Sequence, residues 1–311
     1  MKIVDTSIAC ADYEGDLIYL KVLLENPHVD EFIFTENRYD YRGQDKGLFL
    51  KKLFEQSRFD PYRNKITVLE AERNFGFGIN IYNLDPPEFA QAEAYLREFA
   101  TEYIINKYED DDRVLLTDCD ELFDFVDEER TRKVLGELNT DDCLQFERIR
   151  YWLDFDMLSF RSKGDIICPS YKVKHLKSGQ AKLSEKKWNG RLVENGDRPF
   201  AFEYCNCFPI EGHYKKYNSS LHTMWSKEKI DEACATGTWA KTIYQGPPSR
   251  TCRWDWLLRV KLHKNNSPQY IIDNLKTLKT NLVPRDYISN RLLSYGFDGQ
   301  FPENKDFKEE E

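Results

Sequence analysis

The first third of the chain alternates segments of strand type with segments of helix type. Short runs rich in β-branched or aromatic residues predict strands, and longer segments with apolar residues three and four positions apart predict helices. Strands are predicted over residues 2–9, 29–35, 66–69 and 114–117, and helices over 16–25, 47–57 and 88–107. This alternation is typical of an α/β fold with a doubly wound, mostly parallel sheet that carries helices on both faces.

Beyond residue 125 the pattern is less regular. Helices are predicted over 128–138, 226–235, 267–282 and 285–295, and strands over 144–152, 171–176 and 191–194. Residues 205–210 form a short apolar segment. Neither an internal repeat nor a low-complexity linker interrupts the sequence. Of its 311 residues, 41% are hydrophobic, which is enough apolar material for a sizeable core.

One predicted strand runs directly into acidic residues. Val114 to Thr117 are apolar or β-branched, and Asp118, Asp120 and Glu121 follow. Side chains two positions apart lie on the same side of an extended chain, so Asp118 and Asp120 converge on one point. Two neighbouring carboxylates repel each other unless a cation lies between them, and oxygen ligands suit Mg²⁺ or Mn²⁺.

The position of this pair strengthens the prediction of a metal site. Ligands of open α/β sheets bind at the carboxyl ends of the strands, so the metal is expected to hold a phosphate-bearing ligand. Two other Asp-x-Asp triplets, Asp110/Asp112 and Asp154/Asp156, do not follow an apolar run. The alternative interpretation is a solvated acidic turn after a core strand.

Charge and hydropathy exclude some classes of function. The net charge of −9 opposes a purely electrostatic nucleic-acid binder. The first residues lack the apolar region of a signal peptide, and no apolar run reaches the roughly 18 residues of a transmembrane helix. A soluble, cytoplasmic protein without a membrane span is therefore expected. The eight cysteines favour reduced core thiols; a zinc site from Cys205, Cys207, His213 and His222 is the alternative.

Three segments together carry a family resemblance. They are the strand at 29–36 (Val-Asp-Glu-Phe-Ile-Phe-Thr-Glu), the helix with Arg97, and the segment 111–121 (Asp-Asp-Arg-Val-Leu-Leu-Thr-Asp-Cys-Asp-Glu). This set resembles glycosyltransferase family 17, the β-1,4-mannosyl-glycoprotein N-acetylglucosaminyltransferases. The family also has a Trp-His element before a helix, to which Leu221-His222-Thr223-Met224-Trp225 is similar, although Leu221 replaces the tryptophan. The resemblance covers roughly residues 1–235.

The resemblance implies a GT-A fold and a metal-dependent glycosyltransferase. The catalytic domain is then expected over 1–240, with a nucleotide-sugar half at about 1–125 and an acceptor half at about 126–240. Residues 241–311 lie outside the resemblance and are expected to form a helical C-terminal extension packed on this domain. A sugar is transferred from a nucleotide-sugar donor, with a UDP-sugar favoured, to a hydroxyl of a saccharide acceptor, with inversion and with Mn²⁺ or Mg²⁺ as cofactor.

Site residues follow from the same resemblance. Asp118 and Asp120 match the metal and diphosphate motif, and His222 supplies a further contact, with His213 as its rival. Glu36 is expected to meet the nucleoside, Arg97 to reach a phosphate or pair with Glu93, and Glu121 to orient the loop or touch the donor sugar. The catalytic base stays open among four carboxylates, of which Glu211 is preferred: Glu211, Asp154, Asp156 and Asp255.

Three other functions remain as alternatives. In the first alternative, the acceptor of the glycosyltransferase is a modified nucleobase in viral or phage DNA, and the basic stretch 172–187 faces the phosphate backbone of that DNA. Alternatively, the protein is a non-catalytic module that binds a sugar nucleotide or a glycan. Another metal-dependent phosphoryl or nucleotidyl enzyme would need a second metal cluster and a basic phosphate loop, and neither is evident in the sequence.

Overall fold

The computed structural model describes residues 1–41, 43–75, 86–123, 128–137, 143–159, 167–176, 191–193, 199–219, 227–236, 257–259, 262, 264, 267–278 and 280. Within these ranges the strands are β1 (Ile3–Ala9), β2 (Glu31–Asn37), β3 (Ile66–Ala71), β4 (Arg113–Asp118), β5 (Glu121–Phe123), β6 (Cys143–Trp152), β7 (Met157–Ser159), β8 (Ile167–Lys172), β9 (Arg191–Val193), β10 (Ala201–Cys205) and β11 (Leu257–Arg259). The α-helices are α1 (Gly15–Glu25), α2 (Leu50–Phe54), α3 (Pro86–Lys107), α4 (Glu128–Glu137), α5 (Val173–Leu176), α6 (Ile210–Ser219), α7 (Lys227–Thr236) and α8 (Gln269–Leu278), and 3-10 helices span Asp12–Glu14 and Ser57–Lys65.

The strands form one mixed sheet with a parallel half. Its order is β11-β7-β6-β8-β4-β1-β2-β3. Strands β1, β2, β3 and β4 run parallel, whereas β8 is antiparallel to both β4 and β6. Off this path, β10 pairs in parallel with β6 and antiparallel with β5. The carboxyl ends of β1, β2, β3 and β4 therefore share one edge of the sheet.

The central strands are covered on both faces. Ile3 and Phe32 pack in one cluster with residues of α1 and α2, whereas their neighbours Val4 and Ile33 pack in another cluster with residues of α3. Because both faces are buried, β2 and β4 read as nearly continuous apolar runs in the sequence. The predicted α/β class, with a mostly parallel sheet and helices on both faces, is confirmed.

A further apolar cluster lies beside the second half of the sheet. It joins Leu17 of α1 to Tyr151 of β6 and to Phe202 and Tyr204 of β10, and Ile271 of α8 is buried in it. Helix α8 of the proposed C-terminal extension thus packs on the main sheet, whereas β11 of the same segment pairs with β7 within the sheet. The domain division at residue 240 stays a prediction.

One strand prediction was wrong in position. The chain leaves β8 at Lys172 and continues as the short helix α5, whereas a strand was expected through residue 176. The short apolar segment at 205–210 begins at the last residue of β10 (Ala201–Cys205). Asn206 adopts a positive φ of 60°, which turns the chain out of the strand before α6 begins. The helix predicted over 285–295 lies outside the described residues.

No helix in the described ranges is both long enough and apolar enough to cross a membrane.

Candidate functional site

The turn between β4 and β5 carries the two aspartates that the sequence singled out. The backbone N–H of Asp118 donates to Oε2 of Glu121 (3.0 Å), and the carbonyl of Asp120 accepts the N–H of Tyr204 on β10 (2.8 Å). Between them, the buried thiol of Cys119 donates to the carbonyl of Ile8 (3.2 Å). These bonds tie the turn to β1 and β10, so its two carboxylates have a defined position at the carboxyl edge.

Asp118 is held by an arginine of α3. Nη2 of Arg97 lies 2.7 Å from Oδ1 of Asp118 and 2.9 Å from Oε1 of Glu93. The Arg97 side chain is buried, whereas that of Asp118 is 44% exposed. Arg97 was expected to reach a phosphate or to pair with Glu93; it pairs with Glu93 and also with Asp118. It therefore orients Asp118 while leaving that carboxylate open to solvent.

Asp120 faces a second carboxylate and a thiol. Its carboxylate, that of Glu203 and the Sγ of Cys205 lie within 4.8 Å of one another, which makes these three residues a group able to hold a metal ion. Burial, together with the negative charges of Glu203, Asp118 and Glu121, raises the pKa of Asp120 to about 7. This crowding of like charges is the condition that a divalent cation relieves.

Two arginines of β6 hold Glu203 and Glu121. Arg148 contacts both carboxylates, and Arg150 pairs with Glu203. In register, Glu203 on β10 lies opposite Glu121 on β5 and beside Arg150 on β6. Glu121 is buried and receives the N–H of Asp118. These contacts agree with the expected loop-orienting task for Glu121, and its contact with a donor sugar stays a prediction.

Glu14 adds another carboxylate, which the sequence interpretation missed. It lies in the 3-10 helix after β1, and its Oε2 accepts the N–H of Cys10 (2.6 Å). Burial raises the pKa of Glu14 to about 7, with a further contribution from the charge of Asp118. Its position just past the carboxyl end of β1 was the available signal, because the rule that selected Asp118 applies equally there.

A lysine of α6 borders the acidic group. Nζ of Lys216 donates to Oδ1 of Asn206 (2.7 Å), and its positive charge acts to lower the pKa of both Glu14 and Asp120. We name Glu14, Asp118, Asp120, Glu203 and Lys216 the acidic site. Glu203 and Lys216 could not be assigned from sequence, because only the pairing of β10 with β5 and the packing of α6 bring them there.

A cleft opens at the same edge of the sheet. It holds about 280 Å³ of empty space, part of it open to solvent. Its lining combines aromatic rings with polar side chains: Ala9, Cys10, Asn37, Tyr39, Tyr41, Lys46, Phe75 and Leu96. Cys10 joins the cleft to the acidic site, because its backbone N–H donates to Glu14 and its Sγ lies 3.7 Å from the hydroxyl of Tyr41.

Glu36 has a structural task next to this cleft. Its carboxylate is fully buried and accepts the N–H groups of Phe49 (2.9 Å) and Leu50 (3.0 Å), where α2 begins. A carboxylate at that point satisfies orphan amides and complements the helix dipole. Both oxygens are engaged, so these contacts do not support the expected nucleoside contact, which stays a prediction.

The expected catalytic and histidine residues lie in different places. Glu211 is exposed in the first turn of α6, whereas Asp154 is buried and its Oδ1 accepts the N–H of Phe155 (3.0 Å). His213 is buried with its ring 4.6 Å from that of Phe208, and burial lowers its pKa to about 3. His213 therefore belongs to the core and not to the acidic site. His222 and Asp255 lie outside the described residues.

Other sequence candidates are placed only in part. Lys172 and Lys174 begin the basic stretch. Both pair with Asp111, just before the amino-terminal end of β4, whereas the acidic site lies at the carboxyl end of that strand. Residues 177–187 lie outside the described ranges. Cys205 groups with Asp120 and Glu203, whereas the zinc alternative combined it with Cys207 and histidines. Cys10, Cys119, Cys205 and Cys207 are free thiols.

Fold and site together define an α/β protein with a carboxylate-rich turn at the carboxyl edge of its parallel strands. No family model matches the sequence. No curated protein sequence matches it significantly. Among solved structures, it is similar to the 2-C-methyl-D-erythritol 4-phosphate cytidylyltransferase of Francisella tularensis, with 12% identity and a TM-score of 0.33 over 62% of this chain and 90% of that chain. A likeness of this extent carries no argument about activity.

Proposed function

We propose that this protein is a metal-dependent glycosyltransferase that moves a sugar from a nucleotide-sugar donor to a hydroxyl of a saccharide acceptor. The observation that supports this most is the acidic site itself. Asp118 and Asp120 lie in a braced turn at the carboxyl end of a central strand, with Glu203 within 4.8 Å of Asp120. In open α/β sheets this edge is where ligands bind.

The donor set fits a hard divalent cation. Asp120 and Glu203 would hold it through oxygen beside the thiol of Cys205, with Asp118 as the proposed further ligand from the same turn, and Mn²⁺ or Mg²⁺ is the expected ion. Such an ion neutralises the charge that develops on a departing diphosphate. Arg97 keeps Asp118 in place, and Lys216 supplies a positive charge on the other side of the site. These residues orient a phosphate group and exclude alternative positions for it.

The cleft is the proposed place of the nucleoside. It adjoins the acidic site through Cys10 and offers the rings of Tyr39, Tyr41 and Phe75, which suit stacking against a base or a ribose. UDP is the favoured nucleotide, as the family resemblance implies. The sugar bound to the diphosphate would then extend toward β10 and α6.

The proposal is tested by thermal unfolding with nucleoside diphosphates. We expect UDP to raise Tm by several degrees when Mn²⁺ is present and very little when EDTA is present. Ligand at 100 times Kd stabilises the native state by about 2.7 kcal/mol, which for a chain of this size is a shift of several degrees. If UDP, GDP, CDP and ADP all leave Tm unchanged with Mn²⁺, the proposed function is wrong.

Product formation separates a transferase from the binding-module alternative. A binding module would show the same Tm shift with UDP, but neither sugar transfer nor slow hydrolysis of the donor. Release of UDP from a panel of UDP-sugars with Mn²⁺ therefore decides between the two. A DNA acceptor has less support, since the described lysines of the basic stretch are paired with Asp111.

Glu211 is the proposed base that deprotonates the acceptor hydroxyl. Of the three sequence candidates that the structure describes, Glu211 is exposed, whereas Asp154 and Asp156 are buried, so an acceptor reaches Glu211 without rearrangement. We expect Glu211→Gln to lower kcat by about 100-fold or more, the usual contribution of a general base. The UDP-dependent Tm shift should be unchanged.

The matched control is Glu228→Gln, since Glu228 is exposed in the first turn of the next helix, α7. Initial rates of both variants should be measured with saturating donor. Equal rates in the two variants would remove Glu211 from the mechanism.

A further inference from the structure

Three buried charged side chains lie beneath the acidic turn. Nζ of Lys21 on α1 is 2.8 Å from Oδ2 of Asp5 on β1 and 3.1 Å from Oε1 of Glu25 on α1. Their side chains are at most 1% exposed. Buried ion pairs are a weak source of stability, because the cost of removing charges from water offsets their attraction. The burial of these three charged side chains therefore needs an explanation other than a gain in stability.

Lys21 and Glu25 bind the backbone of β5. The ammonium of Lys21 donates to the carbonyl of Glu121 (2.7 Å), and Oε1 of Glu25 accepts the N–H of Phe123 (2.7 Å). Residues 121 and 123 present these groups on the same edge of the strand, while Leu122 pairs with Phe202 of β10 on the other edge. The two side chains thus take the place of a neighbouring strand for this three-residue strand.

Asp5 extends the same group to the other end of the turn. Its carboxylate accepts the hydroxyl of Thr117 at 3.0 and 3.1 Å and that of Ser7 at 3.1 Å. Thr117 immediately precedes Asp118. The residue before the turn and the strand after it are therefore fixed by one connected set of side chains, which we name the buried triad: Asp5, Lys21 and Glu25.

We propose that Lys21 and Glu25 are positioning residues that hold β5 in register with β10 and thereby keep the carboxylate of Asp120 close to that of Glu203. The part of this inference that concerns metal binding rests on the proposed function. The triad touches neither carboxylate, so it acts through the backbone of residues 117–123. Loss of such an outer contact commonly weakens metal binding by 10- to 100-fold, because the ligands lose their orientation.

The test compares variants that lose stability at different places. Lys21→Met removes the donor to the carbonyl of Glu121. Glu31→Gln instead weakens the hydrogen bonds that the Glu31 carboxylate, at the amino-terminal end of β2, accepts from Tyr103, Lys107 and Tyr108. We expect Lys21→Met to raise the Kd for Mn²⁺ about tenfold or more, measured calorimetrically below the unfolding range. Glu31→Gln should leave this Kd unchanged even if its Tm falls equally.

A second pair keeps the test decisive if Lys21→Met does not fold. A glutamine at position 25 keeps the length of the side chain and an oxygen that accepts the N–H of Phe123. Glu25→Gln should therefore bind Mn²⁺ like the unmodified protein, whereas Glu25→Leu, which has no acceptor, should show the raised Kd. Equal Kd values for these two variants would overturn the inference.

Amide hydrogen exchange tests positioning without any metal. The N–H groups of Asp118, Phe123 and Tyr204 bind Glu121, Glu25 and Asp120 respectively. In Glu25→Leu they should exchange at least about tenfold faster relative to the amides of β2 and β3. Faster exchange with no Mn²⁺ binding by the unmodified protein would keep the positioning role and reject the metal site. Uniformly faster exchange across the sheet would reject the positioning role.

Discussion

Replacing Asp120 by asparagine is expected to lower sugar transfer by at least about 1,000-fold, or about 4 kcal/mol of transition-state stabilisation. The carboxylate of Asp120 lies within 4.8 Å of the Glu203 and Cys205 ligand atoms, at the centre of the proposed metal site. An amide keeps the shape of the side chain but carries no charge with which to hold a divalent cation. The rate of UDP release with saturating Mn²⁺ measures the effect.

The stability of this variant should move in the opposite direction. The pKa of Asp120 is raised above its ordinary value, so the folded protein disfavours the ionised carboxylate at pH 8. Without metal, Asp120→Asn should therefore unfold at the same Tm or a higher one, and Mn²⁺ should no longer raise it. A residue that lowers stability in return for activity is typical of functional sites.

The control for Asp120→Asn is the same substitution at the other end of the strand. Asp110 belongs to another Asp-x-Asp triplet and is exposed before β4 begins. Asp110→Asn should retain activity within about twofold, as surface substitutions away from a site usually do. Comparable activity in Asp120→Asn and Asp110→Asn would reject the central role of the turn.

His213 is expected to make stability fall steeply below neutral pH. Burial lowers its pKa to about 3 in the folded protein, compared with an ordinary value of 6.5. Between these values the unfolded chain binds the extra proton, so the stability contributed by neutral His213 is complete above pH 6.5 and is lost as the pH falls toward 3. Between pH 7 and pH 4 the loss is on the order of 3 kcal/mol.

A comparison with His213→Gln isolates this contribution from that of the many carboxylates. Urea unfolding at pH 7 and pH 4 should show a smaller loss of unfolding free energy in the variant than in the unmodified protein. Equal losses would mean that His213 is accessible to protons in the folded state. The Mn²⁺-dependent Tm shift should be the same in both proteins, because His213 packs against Phe208 and lies outside the acidic site.

The spacing of apolar residues along the sequence was sufficient to predict the strands and helices that bury an apolar face. The strands at β1, β2 and β4 and the helices α1 and α3 were predicted within a few residues, because their apolar spacing reflects burial against the sheet. The short strands β5, β7 and β11 were missed, since three residues carry too little periodicity to be recognised. β10 was also missed, and nothing local indicates the positive φ of Asn206 that ends this strand.

The residues of the acidic site also fall into those that the sequence predicted and those that only the structure revealed. Asp118 and Asp120 were found from sequence, because an apolar strand that runs into two alternating carboxylates is a local signal with a physical meaning. Glu203 and Lys216 were not, because each is an ordinary polar residue until β10 pairs with β5 and α6 packs beside it. The tasks of Glu36 and Arg97 also depended on partners far along the chain.

The sequence by itself determined the α/β class, the mostly parallel arrangement of the first strands and the position of the acidic turn. These follow from hydrophobic periodicity and from the rule that parallel strands end at a common edge. The tertiary structure alone decided which charges surround that turn and that the buried triad braces it from below. Such contacts join residues about 100 positions apart, as Lys21 and Glu121 do, and only long-range packing and strand register bring these residues together.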